Sequence, residues 1–202
     1  MKILVTGTTG GIGGAVKSAA LAAGHEVTEV NRGDFKALSA DRIGSGIEAL
    51  VFATGTCPVL PLTALADEAF AETVAVNCGL FIRLMRFVVR ERLYAPSGMR
   101  AVAVSSVSAV EGWPGGAAYC GSKGALSAVC RALDAELGPR GISVAALEPR
   151  HVRTRMFDAC AGRMGVDPSL ARDPADFALE VLSAVRADTG AIKSPDMNPT
   201  GD

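Results

Sequence analysis

The chain has 202 residues, 49% of them apolar and 20% charged, the composition of one globular domain with a buried core. Its 20 basic and 21 acidic side chains leave a net charge of -1, which gives no bulk attraction to nucleic acid or to an anionic membrane. The opening MKILVTG does not read as a signal peptide, and the apolar stretch FIRLMRFVV is broken by Arg83 and Arg86. Five cysteines, Cys57, Cys78, Cys120, Cys130 and Cys160, show no C-x-x-C spacing. They read as small core residues in a reducing cytoplasm rather than as disulfides or zinc ligands. The two histidines, His25 and His151, poorly supply a His-based metal site or a Ser-His-Asp triad.

In chain order, KILVT is a short apolar run and predicts a strand. GTTGGIGG follows, and then AVKSAALAAG, helical in composition and closed by Gly24. HEVTEVN predicts a second strand, completing a βαβ unit. Ile47–Thr54 predicts a third strand, Asp67–Leu93 one long helix, and Met99–Ser106 a fourth strand. Ala117–Leu137 predicts a helix, ISVAALEP a fifth strand, and Pro174–Val185 a last helix. Near-continuous apolar strands alternating with helices predict a parallel sheet buried on both faces, in an α/β doubly wound sandwich (Rossmann fold). The stretch between Asn31 and Ile47 holds one short crossover. It leaves no room for a further helix-strand-helix, so one βα unit after the second strand is expected to be absent. No linker or repeat divides the chain, and residues 1–202 are expected to form a single domain.

The first βα turn, T6-G7-T8-T9-G10-G11-I12-G13, fits both G-x-x-x-G-x-G and G-x-x-G-x-x-G. Glycines there allow a sharp turn, close backbone approach to a pyrophosphate and tight helix–sheet packing. The helix start then presents free N–H groups to the phosphates. The strand, turn and helix context points to dinucleotide binding through Gly7, Thr9, Gly11, Ile12 and Gly13. The second strand ends at Val30-Asn31-Arg32. A carboxylate at that end would hold the 2′-hydroxyl of NAD(H), and an arginine would accommodate the 2′-phosphate of NADP(H). Asn31 with Arg32 favours NADP(H), with NAD(H) as the alternative because Asp34 can reach back.

The segment Ser106–Lys123, SVSAVEGWPGGAAYCGSK, carries the chemistry. Tyr119 and Lys123 are one helical turn apart and share a face. A phenol has a reference pKa of about 10, and a nearby cation favours its ionised form. Strand alternation turns Ser105 and Ser106 to opposite faces. Asn77 sits inside the long predicted helix, where its side chain competes with the backbone.

Together these residues resemble the short-chain dehydrogenase/reductase superfamily, in its compact single-domain branch, over Met1 to Met156. The resemblance rests on the TG-x-x-x-G-I-G turn, Asn77, Ser106 with Tyr119 13 residues later, Y119-C-G-S-K123, and E148-P149-R150-H151-V152-R153-T154. It implies a catalytic set in which Tyr119 is the acid/base and Lys123 tunes it and binds the nicotinamide ribose. Ser106 then orients the substrate oxygen, and Asn77 supports a water relay. It further implies cofactor contacts from Ala53, Gly55, Pro149, Val152 and Thr154, and a homodimer or homotetramer. Two motifs depart from the family pattern. The usual N-A-G reads Ala53-Thr54-Gly55, and the usual P-G reads Pro149-Arg150.

Arg150, His151, Arg153 and Arg155 crowd the entry to a substrate loop at about 155–173. They suggest an anionic small-molecule carbonyl or alcohol substrate. Phe157–Asp173 shows no strong periodicity and reads as a mobile lid. The stripe Phe81, Leu84, Met85 and Val88 is expected to pack on the chain's own sheet. The reading is a cytoplasmic NAD(P)(H)-dependent oxidoreductase interconverting a ketone and a secondary alcohol. The alternatives are a dinucleotide sensor without turnover and a nucleotide-sugar epimerase-like enzyme.

Overall fold

A computed structural model describes residues 1–186; the remainder of the expected 1–202 domain lies outside the described residues. Five parallel strands, β1 (Lys2–Thr6), β2 (Glu26–Val30), β3 (Ala49–Phe52), β4 (Met99–Val104) and β5 (Ile142–Leu147), form one sheet in the order β2-β1-β3-β4-β5. Period-2 alternation assigns the two faces. Ile3, Val5, Val51, Val102 and Val104 pack with Val16, Phe177 and Val181, from α1 (Gly11–Ala22) and α7 (Pro174–Arg186). Leu4, Leu50, Phe52, Ala101 and Ala103 pack on the other face with Phe81, Leu84, Met85, Val88 and Leu126. The expected stripe Phe81, Leu84, Met85 and Val88 is thus buried against the chain's own sheet. Burial of both faces accounts for the apolar continuity of the strands.

After β2 the chain returns through a 3-10 turn, Arg32–Lys36, and the four-residue α2, Ala40–Ile43. Phe35 and Ile43 close the core there. No strand lies between β2 and β3, so the expected loss of a βα unit is observed and β2 is an edge strand. β3 is shorter than Ile47–Thr54: Ile47 makes only an isolated bridge to Tyr94, and Ala53 and Thr54 turn into the site.

The stretch Asp67–Leu93 is not one continuous α-helix. It divides into α3 (Asp67–Val74), a π-helical turn at Ala75–Gly79, and α4 (Leu80–Arg90). Asn77 lies in that turn, a form that often marks functional positions. α5 spans Ala117–Leu137, as its composition predicts. The segment read as a mobile lid, Phe157–Asp173, holds most of α6 (Arg155–Met164). The Thr154 hydroxyl caps α6 by accepting from the Phe157 N–H, and Gly165 ends it at φ 69°. Phe157, Cys160 and Ala161, spaced 3 and 4 apart, form its buried side.

Candidate active site

The strand order reverses between β1 and β3, whose carboxyl ends open the crevice in which ligands of doubly wound sheets bind. Gly7 leaves β1 at φ 69°, and a Cβ on it would sit 2.8 Å from the Ala53 carbonyl oxygen. Only glycine fits such a position. A Cβ on Gly13 would overlap the Gly7 carbonyl, so α1 lies directly on the turn. A Cβ on Gly11 would meet Thr154 Cγ2 at 2.5 Å, which places the glycine turn against the entry to α6. The Thr6 hydroxyl oxygen accepts from the Ala53 N–H and the Thr54 hydroxyl, both at 3.0 Å, and ties the two strand ends together. This backbone cradle at the start of α1 fits a pyrophosphate. Gly13→Ala is expected to lower stability by about 1–3 kcal/mol through overpacking, read as a shift in denaturation midpoint, and to weaken dinucleotide binding.

At the end of β2, Asn31 does not line the cavity. Its side chain pairs with the Thr8 hydroxyl, and its N–H donates to Asp34 Oδ2 at 2.7 Å. Asp34 also pairs with Arg42, whose guanidinium, with the Asn31 N–H, holds its carboxyl below the usual range. Asp34 is therefore committed locally. Arg32 does line the cavity and forms an exposed ion pair with Glu72 at 2.5 Å. A carboxylate that the sequence reading passed over, Glu29, pairs with Lys17 and with the Thr8 hydroxyl.

Ser106, Tyr119 and Lys123 converge on one wall of the same cavity. Ser106 stands just beyond β4, and its side chain accepts from the Ser108 N–H at 3.1 Å. Its hydroxyl also hydrogen-bonds Tyr119. Tyr119 lies in the first turn of α5 and Lys123 one turn later; the Lys123 Nζ is 5.7 Å from the phenol ring centroid. The buried Lys123 ammonium donates to the Val104 carbonyl at 2.8 Å. Desolvation lowers its pKa to about 8. Tyr119 is displaced upward, by burial first and then by the Cys57 thiol, while the Ser106 hydrogen bond opposes the rise. The expected lowering of Tyr119 by Lys123 is thus not the balance seen here: the lysine faces Val104, and desolvation governs the phenol.

Asn77 is fully buried and does not face the cavity. Its Oδ1 accepts from the Thr56 N–H at 2.7 Å, and its Nδ2 donates to the Thr56 carbonyl at 2.9 Å and the Ser122 hydroxyl at 2.8 Å. Asn77 therefore clamps the loop after β3 to α5. A Cβ on Gly55 would lie 3.4 Å from Asn77 Oδ1 and 3.8 Å from Lys123 Nζ, so Gly55 keeps open the space between them. Ser105 turns away from Ser106, to Ser127 Oγ at 2.8 Å and the Lys123 carbonyl at 3.2 Å, and seats α5 on the sheet.

The cavity measures about 750 Å³. Gly7, Thr9, Gly11, Ile12, Ala53 and Gly55 line it, as do Pro149, Val152 and Thr154. Three further walls escaped the sequence reading. Trp113 lies tilted against the Tyr119 ring, the centroids 6.2 Å apart, with its indole N–H on Ser108. Glu111 ion-pairs with Arg150 across the mouth. Cys57 and Cys160 meet beside Tyr119, and the Cys160 thiol donates to the Cys57 carbonyl. All five cysteines are free, and among the described residues there is no cluster suited to a metal ion. Among the described residues, no helix is long and apolar enough to cross a membrane.

A Rossmann-type sheet with this Ser, Tyr and Lys wall defines a class of oxidoreductases. The family described as enoyl-(acyl carrier protein) reductase matches residues 35–174, a stretch that includes Asn77, Ser106, Tyr119 and Lys123. The chain belongs to the short-chain dehydrogenase/reductase superfamily. It is 35% identical to the short-chain reductase protein NovJ of Streptomyces niveus, over 60% of this chain and 45% of that protein, so it spans less than half the length of that relative. It is 25% identical to the 3-oxoacyl-[acyl-carrier-protein] reductase FabG of Rickettsia conorii, over 77% of this chain and 74% of that one. A solved 4-hydroxyisoleucine dehydrogenase mutant complexed with NADH and succinate superposes with a TM-score of 0.78 at 20% identity. The match covers 93% of this chain and 91% of that one, and it bears out the fold.

Proposed function

We propose that the protein is an NAD(P)(H)-dependent oxidoreductase that interconverts a ketone and a secondary alcohol. The observation that carries this is the convergence of Ser106, Tyr119 and Lys123 on one wall of the cavity that the glycine turn opens. A bound dinucleotide would supply or accept the hydride. The turn at Gly7, Thr9, Gly11, Ile12 and Gly13 would hold its pyrophosphate, and Ala53, Gly55, Pro149, Val152 and Thr154 would flank its nicotinamide half. Ser106 holds the substrate oxygen. Tyr119 gives that oxygen a proton in reduction and takes it in oxidation. Lys123 carries the positive charge that steadies the phenolate left behind. Asn77 ties the Thr56 backbone to the Ser122 hydroxyl, one residue before Lys123, and a water relay through it is part of this reading. The 3-oxoacyl reductase and L-xylulose reductase activities named for relatives are carbonyl reductions and support the same reaction class. A sensor without turnover would not need this catalytic wall.

NADP(H) is the preferred cofactor in this reading, because no carboxylate occupies position 31 and Arg32 stands at the cavity edge. Arg32→Ala is expected to raise the Kd for NADPH roughly tenfold and leave that for NADH within about twofold, since one charge-assisted contact is worth about 1.4 kcal/mol. Equal effects on both nucleotides in a fluorescence titration would reject that role. The free cysteines suit a reducing cytoplasm, and a homodimer or homotetramer accords with the family.

A further inference from the structure

Four cations line the cavity, Arg32, Lys123, Arg150 and Arg155, against one carboxylate, Glu111. They are not equivalent. Arg32 is held by Glu72, which lies outside the cavity lining, and Lys123 is held by the Val104 carbonyl. Arg155 forms no ion pair among the described residues. Arg150 alone is paired with a carboxylate of the cavity itself, its Nη2 lying 3.0 Å from Glu111 Oε1 and its Nη1 3.5 Å from Oε2. Both partners of that pair are exposed, at 57% and 48%, so the bond is weak and exchangeable. It also joins two different lips of the mouth, since Glu111 follows β4 and Arg150 follows β5.

Apolar side chains of Met156, Phe157, Met164 and Val166 also line the cavity, together with Tyr119 and Ser106 of the catalytic wall. A ligand that matches these surfaces has a carbonyl at one end, a short alkyl chain, and a carboxylate at the other. Guanidinium groups bind carboxylates bidentately and keep their charge at every working pH.

We propose that Arg150 and Arg155 form a carboxylate subsite and that the substrate is an oxo acid, or the hydroxy acid it becomes. Glu111 occupies Arg150 when the subsite is empty, and the substrate carboxylate displaces it. Glu111 thereby acts as a built-in competitor that also repels acids which fail to reach Arg155. This rests on the reductase reading and names the substrate class of that same site.

The test compares kcat/KM for 3-oxobutanoate, 4-oxopentanoate and 5-oxohexanoate with that for their methyl esters, using the full chain and saturating NADPH. At least one acid should exceed its ester by roughly tenfold or more. In the double variant Arg150→Gln/Arg155→Gln that ratio should fall to about one through the KM of the acid, with ester turnover unchanged as the check on folding. Glu111→Gln should raise kcat/KM for the acid severalfold and leave the ester alone. Equal use of acids and esters by the unaltered protein, or a ratio that survives in the double variant, would overturn the subsite and leave the reductase reading standing. Reduction of neither series, with NADPH bound, would remove both.

Discussion

Tyr119→Phe should cut ketone reduction by about 10²–10⁴-fold, the usual weight of a general acid/base, while dinucleotide affinity stays within about twofold. The substitution removes one hydroxyl and keeps the ring against Trp113, so the fold of the cavity wall should persist. Burial holds the Tyr119 pKa above its ordinary value. In the reduction direction that is useful: the group that must give a proton stays protonated over the whole physiological range. In the oxidation direction it is a handicap, because the phenol must ionise. Oxidation of the alcohol should therefore climb with pH, and reduction should show no loss from Tyr119 near neutrality. Initial rates in both directions, with variant and parent at matched cofactor saturation, check this. Reduction unaffected by Tyr119→Phe would remove the residue from the mechanism.

Lys123→Met should be the second most damaging change, with turnover down by roughly 10²-fold or more and a distinct signature in stability. The native pKa of Lys123, about 8, lies below its ordinary value of 10.5. Between these values the unfolded chain holds a proton that the native chain has released. The lysine's contribution to stability therefore rises with pH across that window. The rise is roughly 1–3 kcal/mol, because each tenfold change in proton affinity is worth about 1.4 kcal/mol. Buried thiols act in the opposite sense. Burial raises Cys78, and raises Cys130 to about 12, so above about pH 9 the native chain keeps protons that the unfolded chain loses. Their stabilising effect fades as pH rises. Subtraction isolates the lysine: urea midpoints of parent and Lys123→Met at about pH 7 and about pH 10 should converge or cross in favour of the parent at the higher value. A difference that does not change with pH would mean that Lys123 keeps its proton throughout.

The sheet and its helices were legible in the sequence because β1, β3 and β4 are almost wholly buried apolar runs and most of the connecting turns carry glycine. The chain between β2 and β3 is simply too short for another unit. The glycine cradle was legible for a related reason: at Gly7 and Gly13 any side chain collides with backbone. Ser106, Tyr119 and Lys123 lie on adjacent elements, and their spacing brings them to one wall. Other parts depend on contacts between distant segments and leave little local trace. Nothing near Glu111 announces its bond to Arg150, 39 residues away. Asn77 looked like a relay residue, and only the fold reveals that its amide is largely occupied by Thr56 and Ser122. Helix α6 left little periodic signal because only Phe157, Cys160 and Ala161 of it are buried. Its signals were the cap at Thr154 and the left-handed Gly165. Asn31 shows the same limit: its position at the end of β2 suggests a cofactor contact, and only the fold reveals its bonds to Thr8 and Asp34.

The central claim is that the glycine turn and the Ser106, Tyr119 and Lys123 wall serve one bound nicotinamide dinucleotide. The most direct measurement is a nicotinamide fluorescence titration of the purified protein with NADPH and with NADH, repeated with Gly13→Ala. The expected result is saturable binding, tighter for NADPH, that is weakened for both nucleotides by the Gly13 substitution. Failure to bind either nucleotide would contradict the claim, because the shortened crossover after β2 would then have left a Rossmann sheet without its cofactor.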